Sequence, residues 1–253
     1  MKVLLIHAHY EPKSFTAAMR DQAIDTLTGC GHEVMVSDLY EMQFDPIAKK
    51  ADFGSPKRAD YIVYALEQRH GYETGTLAAD IRQEVEKLLE ADLLILSFPV
   101  FWFSVPAIMK GWIDRVLLSG LAYGGTRFYD RGGLVGKKAL VAATIGSREH
   151  MFGSDAVHGS FEAMFSHLLR GTLGYVGMSV LPPFAAWHVP YVTDEERRCI
   201  LSAYHDYLLS VDRLAPLKFP SLADFDDQMR RKISSDCSAA ERTGERPALR
   251  DAS

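Results

Sequence analysis

Three stretches of the 253-residue chain gather side chains able to hold or move charge, each directly after an apolar run. The first, His9 to Thr16 (HYEPKSFT), places Ser14 and Thr16 at the head of a predicted helix. Unpaired N–H groups and the positive end of the peptide dipoles favour an anion there, and His9 adds a donor, so phosphate or pyrophosphate is the suited guest. Ser14 or Thr16 could instead do no more than cap the helix. Spacing alone favours the cap; the position directly after the first strand shifts the balance toward the anion. The second stretch runs from Phe98 to Val116 (FPVFWFSVPAIMKGWIDRV). Phe101, Trp102 and Phe103 fill a loop where polar residues are usual, and three rings in a row cannot all tuck into a core, so they make a wall for a planar ring. The third is Thr144 to Gly159 (TIGSREHMFGSDAVHG), a glycine-containing loop able to curl around a ring edge. It carries His158, although a loop histidine taken alone is more often a solvated bystander than a catalyst.

Some chemistry is excluded. No G-x-G-x-x-G follows a strand, and Gly132, Gly133 and Gly136 neither have that spacing nor open a helix. No G-x-x-x-x-G-K-[ST] loop occurs either, so a nucleotide would be held without a glycine turn. No H-E-x-x-H or clustered metal ligands appear, and no metal is expected.

These loops need elements to position them. Val3 to Ala8, Leu93 to Phe98 and Lys138 to Thr144 are continuous apolar runs, the mark of strands covered on both faces of a parallel sheet. Val34 to Val36 and Val176 to Leu181 read as further strands. Helices are expected over Ala17 to Leu27 and Ile81 to Leu89. A third follows Pro106, with the stripe Ile108, Trp112, Val116, and others cover Phe161 to Leu169 and the stretch from the Thr193–Glu196 capping box to about Leu209. Glu41 to Gly75 breaks the pattern, with a possible short helix at Tyr61 to Gln68, and suggests a binding lid or partner contact. The alternation predicts a doubly wound α/β fold, five parallel strands with helices on both faces. Such sheets bind ligands beyond the carboxyl ends of their strands, where all three loops lie.

Composition agrees with a globular domain: 47% hydrophobic, 24% charged and a formal net charge of -5, which argues against a nucleic-acid surface. Cys30, Cys199 and Cys237 form no C-x-x-C pair, which points to a reducing compartment. The apolar N-terminal run ends by Ala8, too short for a signal peptide, and no stretch suggests membrane insertion. A cytoplasmic protein is expected. Residues 1–214 read as the domain and 215–253 as an arm and a poorly ordered tail from about Ser234.

Together HYEPKSFT, Ser37 to Pro46 (SDLYEMQFDP), Phe98 to Val116, Gly120 to Gly133 (GLAYGGTRFYDRGG) and Thr144 to Gly159 closely resemble the NAD(P)H:quinone oxidoreductases, in order from about Met1 to Leu214. The resemblance implies a flavodoxin-like homodimer with one FAD per subunit, taking a hydride from NAD(P)H and reducing a quinone in ping-pong turnover. It implies that His9, Ser14, Phe15 and Thr16 hold the FAD phosphates and ribityl chain. Pro99, Val100, Phe101, Trp102 and Phe103 would line the isoalloxazine, and Thr144, Ile145, Gly146 and Ser147 its edge. Val189, Arg197 and Leu201 would reach the adenine half, and Asp114 the FAD of the other subunit. Substrate would stack near Trp102, Phe103, Gly146, Met151, Tyr191 and His158, with Tyr123, Phe128 and Tyr175 from the second chain. Catalysis would fall to His158, to Gly146 and to the position of Phe152.

The chain departs from the family pattern. Phe152 stands where a tyrosine usually pairs with the histidine, Thr16 replaces an asparagine, Ile145 and Ser147 alter a T-T-G-G loop, Gly125 replaces a tyrosine and Tyr191 a histidine. Arg148, Glu149 and His150 are bulkier and more charged than the family's residues. Two functions therefore stay open: an NAD(P)H-dependent reductase, or a flavin-binding ancillary or sensor protein associated with a transporter. His158 and the aromatic wall favour the enzyme.

Overall fold

The computed structural model describes residues 1–58 and 60–232; the tail expected from about Ser234, and Cys237, lie outside them. The chain divides into two compact units, Met1–Phe219 and Pro220–Ser253.

In the first unit the apolar runs become β1 (Lys2–His7), β2 (Glu33–Asp38), β3 (Leu93–Pro99) and β4 (Lys138–Thr144), joined by β5 (Ser179–Val180) and β6 (Phe184–Ala186). Among the described residues these six strands make one sheet in the order β2-β1-β3-β4-β5, with β6 also on β4, and every pairing is parallel. The helices are α1 (Phe15–Gly29), α2 (Tyr64–Thr74), α3 (Ala79–Glu90), α4 (Ala107–Val116), the short α5 (Phe161–Met164) and α6 (Ser166–Leu168), and α7 (Asp194–Leu209).

Side chains alternate across β1, so the sheet feeds two cores. Leu4, Ile6 and Ala8 pack with Ile81 and Val85 of α3 and with Met109 and Trp112 of α4. Val3 and Leu5 pack with Met19 and Ala23 of α1 and with Tyr204 and Leu208 of α7. The Thr193–Glu196 capping box forms, with the Thr193 hydroxyl accepting from the Glu196 N–H and the Glu196 carboxylate from the Thr193 N–H.

Three expected elements differ. The short helix expected at Tyr61 to Gln68 stands instead as α2 from Tyr64 to Thr74, ended by the left-handed Gly75. The final strand does not run from Val176 to Leu181; it is split into β5 and β6 around Pro182 and Pro183, which have no N–H to give the ladder. The helix expected over Phe161 to Leu169 is broken into α5 and α6 and passes into a wide π turn at Leu169–Gly174, where the Thr172 hydroxyl donates to the His167 carbonyl at 3.0 Å.

The Glu41 to Gly75 excursion is pinned rather than free to act as a lid. Arg115 of α4, 1% exposed, donates to Asp52 Oδ1 at 2.8 Å, Asp80 Oδ2 at 2.7 Å and the Asp45 carbonyl at 2.8 Å. Tyr64 Oη donates to Asp52 Oδ2 at 2.6 Å. Gly111 lets Pro46 lie against α4: a Cβ there would come within 2.3 Å of the Pro46 backbone.

In the second unit, Ser221 caps a 3-10 turn at Leu222–Asp224, and Phe225 bridges Arg231 in antiparallel fashion. Among the described residues no helix is long and apolar enough to cross a membrane.

Candidate active site

Strand order alone brings the three chemical loops together. The chain leaves β1 toward β2 on one side and β3 on the other, so a crevice opens at this reversal, beyond the carboxyl ends. Hydrogen bonds then lock the loops at their roots. The Ala8 N–H donates to the Ser97 carbonyl at 2.9 Å, the Val100 N–H to the Thr144 carbonyl at 2.9 Å, and the hydroxyls of Thr16 and Thr144 meet at 2.8 Å.

A cleft of about 660 Å³ lies there. His9 and Ser14 line it from the first loop with Phe15 and Thr16 at the start of α1, Pro99, Val100 and Phe101 from the second loop, Thr144, Ile145 and Gly146 from the third, Val189 from the approach to α7 and Arg197 from its first turn. Ser14 does cap α1, its Oγ accepting from the Ala17 N–H at 3.1 Å, yet its hydroxyl hydrogen stays available to a guest. The capping and anion readings are thus compatible. The Glu11 N–H donates to His9 Nδ1 at 3.0 Å, which makes Nδ1 the acceptor and leaves Nε2–H as the donor. Partial burial lowers the His9 pKa, keeping the ring neutral in that role.

A second cleft of about 450 Å³ shares Val100, Ile145 and Gly146 with the first and adds Trp102, Phe103, Ser147, Phe152 and Tyr191. His158 stands at this wall, its ring 5.2 Å from Phe103 and 5.0 Å from Phe152. Its N–H donates to the Met151 carbonyl at 3.1 Å, tying those two residues together. The aromatic wall is strained: Phe101 and Ser104 exchange both backbone hydrogen bonds at 3.0 Å, and between them Trp102 and Phe103 have φ of 51° and 56°. Such a turn normally carries Asn-Gly. Trp102 is 96% exposed, so core packing does not hold it there. Strain of this kind concentrates at binding sites.

Other expected residues lie apart. Asp114, Tyr123 and Tyr175 line a third cleft of about 160 Å³ that shares no lining residue with the other two. Phe128 stacks on Tyr175, centroids 5.8 Å apart and planes at 12°. Leu201, on α7, packs against the core that includes Met19 and Tyr204 and is not among the residues lining the first cleft. Sequence reasoning missed Lys13, Ala18 and Pro190 in the first cleft and Phe165 in the second. Lys13, directly before the cap of an anion-suited helix, carried a readable signal. Phe165, buried at 1%, looked like any core residue. Among the described residues no three His, Cys, Asp or Glu side chains gather to hold a metal.

The sheet order and the crevice at its reversal define a flavodoxin-like α/β protein, and residues 1–208 match the family model described as a flavodoxin-like fold. The chain is 41% identical over 217 residues to the ribosyldihydronicotinamide dehydrogenase [quinone] of Mus musculus, spanning 85% of this chain and 94% of that protein. It is 36% identical over 226 residues to NAD(P)H dehydrogenase [quinone] 1 of Rattus norvegicus, spanning 89% and 82%. The crystal structure of a candidate quinone reductase from Klebsiella pneumoniae superposes with a TM-score of 0.88 at 35% identity, covering 92% of this chain and 94% of that one. The chain belongs to the NAD(P)H:quinone oxidoreductase family and is an oxidoreductase.

Proposed function

We propose that the protein is a flavin-dependent NAD(P)H:quinone reductase, with FAD in the joined clefts and a homodimer completing the substrate pocket. The observation that carries the reading is the continuity of the two clefts across Gly146: one end is anion-suited, the other walled by rings. A flavin fits both ends. A Cβ at Gly146 would meet nothing within 4 Å, so a flat ring can reach the backbone there. At the other end the α1 N-terminus, Lys13, His9 and Arg197 suit a pyrophosphate, and Val189, Pro190 and Arg197 give the cleft length for an adenine half.

When bound, the flavin would accept a hydride from NAD(P)H and pass two electrons to a quinone. The residues set the conditions. Phe101, Trp102 and Phe103 exclude water from one side of a ring, and Ile145 and Val100 from the base. An imidazole nitrogen can both carry and release a hydrogen, so His158 can donate to an anion forming in the second cleft and pass a proton to a hydroquinone oxygen. At about 450 Å³ the second cleft suits one planar ring at a time, which supports NAD(P)+ leaving before quinone enters. Asp114, Tyr123, Phe128 and Tyr175, set apart in their own protomer, would serve the site of a second copy. The ancillary-protein reading draws on Phe152 alone, where the family hydroxyl is missing.

Apoprotein stripped of flavin tests this. Menadione reduction by NADH or NADPH should be absent before addition of FAD and restored after it, with FMN binding more weakly. Equal activity without any flavin would sink the reading.

A further inference from the structure

His188 belongs to none of the clefts, yet it grips the loop that joins them. Beyond the last paired residues, Thr144 and Ala186, the chains from β4 and β6 stay zipped together. The Ile145 N–H donates to the Ala186 carbonyl at 2.8 Å, the Val189 N–H to the Ile145 carbonyl at 3.1 Å and the His188 N–H to the Ser147 carbonyl at 3.0 Å. Within this zipper His188 Nδ1 lies 3.1 Å from the Gly146 carbonyl oxygen. A carbonyl only accepts, so Nδ1 carries the hydrogen. His188 makes this bond from φ 58°, a left-handed backbone that L side chains disfavour, and its ring leans on Tyr191 with centroids 4.8 Å apart.

The peptide plane turns that bond into an orientation. In a trans peptide the C=O and the following N–H point in opposite directions. Holding the Gly146 carbonyl toward His188 therefore aims the Ser147 N–H away from His188, and both Gly146 and Ser147 line the second cleft. Among the described residues that N–H meets no acceptor. Val189 and His188 hold the Ile145 and Ser147 carbonyls on either side, but among the described residues no other hydrogen bond reaches the Gly146–Ser147 peptide itself, and a Cβ at Gly146 would touch nothing within 4 Å.

We propose that His188 is a positioning residue that presets the Gly146–Ser147 peptide, so that the Ser147 N–H stands ready to donate to the edge of the bound cofactor. The proposal rests on the flavin reading of the clefts. Presetting a donor removes the ordering loss that binding would otherwise carry, and a loop left to sample other orientations binds more weakly. The left-handed φ marks the same constraint, since the chain tolerates local strain to bring the imidazole to this carbonyl.

Two substitutions separate the bond from the backbone. His188→Gly accepts the left-handed φ and deletes the donor. His188→Asn also tolerates that φ and places an amide nitrogen the same number of bonds from Cα as Nδ1, without a titratable ring. Apoproteins of the wild type and both variants are titrated with FAD by fluorescence quenching, and amide exchange is followed over residues 144–148 without flavin. The glycine variant should bind FAD roughly five-fold or more weakly, the size of one lost neutral hydrogen bond, with faster exchange in that segment. The asparagine variant should stay within about two-fold of wild type in both. Wild-type protein that takes up no flavin overturns the site reading and this proposal together. Wild-type protein that binds FAD, with a glycine variant matching it or an asparagine variant as impaired as glycine, overturns the proposal alone.

Discussion

At Phe152 a single oxygen atom is the question. Its ring packs between His158 at 5.0 Å and Trp187 at 4.8 Å, an aromatic frame without the hydroxyl that the family resemblance leads one to expect there. A lost donor to a developing charge typically slows a reaction by about 10²-fold. Phe152→Tyr should therefore raise the rate of flavin reduction toward that factor in stopped-flow, and an unchanged rate would show that His158 needs no such partner. A second residue, His7, governs stability instead. Burial lowers its pKa from 6.5 to about 4, and its Nε2 is buried with no partner. Between those pH values the unfolded chain binds a proton that the native state refuses, so His7's contribution is full above pH 6.5 and is lost as pH falls toward 4, about 3 kcal/mol in all. Denaturant midpoints at pH 7 and pH 4.5 should show a smaller acid loss for His7→Gln than for wild type; equal losses would contradict this.

At the scale of elements, the turn bearing Trp102 and Phe103 trades stability for a binding wall. Replacing the pair by Asn-Gly, which prefers both left-handed positions, should stabilise the fold by about 1 kcal/mol or more while raising the KM for quinone. A lower melting temperature would refute the strain argument. The Arg115 cluster makes the opposite prediction. Arg115→Ala strands the Asp52 carboxylate, itself 0% exposed, and should cost about 3–5 kcal/mol, whereas Lys110→Ala at the exposed Lys110–Asp114 pair should cost less than about 1. Similar denaturation midpoints for the two variants would show that Arg115 does not anchor the excursion. Legibility in the sequence followed the same divide. Local signals read through directly: the buried runs of β1, β3 and β4 and the capping box of α7 are all set within a few residues, whereas the end of α2 at the left-handed Gly75 was not anticipated. Arg115 pairing across 63 residues with Asp52, and His188 reaching back 42 to Gly146, have no local signature. Pro182 and Pro183 marked the end of the expected final strand, but not the return of a further strand, β6, to β4 beyond them.

Across the whole molecule, the sheet reversal gathers loops from three strands into joined clefts, and a separate aromatic group at Tyr123 and Tyr175 faces elsewhere in the same protomer. The anion-suited end of the first cleft was legible because a helix N-terminus advertises itself in its cap. The ring end was legible because three exposed aromatics have no other use. The proposed completion of the pocket by a second protomer has no such mark in one chain and rests on family resemblance alone. The most direct measurement is sequential-mixing stopped-flow on the purified protein: flavin absorbance is followed through mixing with NADPH or NADH, then through mixing with menadione. The account predicts that the bound flavin bleaches with at least one nucleotide and that menadione restores its colour in a separate second step. Bound flavin that NADPH and NADH leave unbleached would contradict the account.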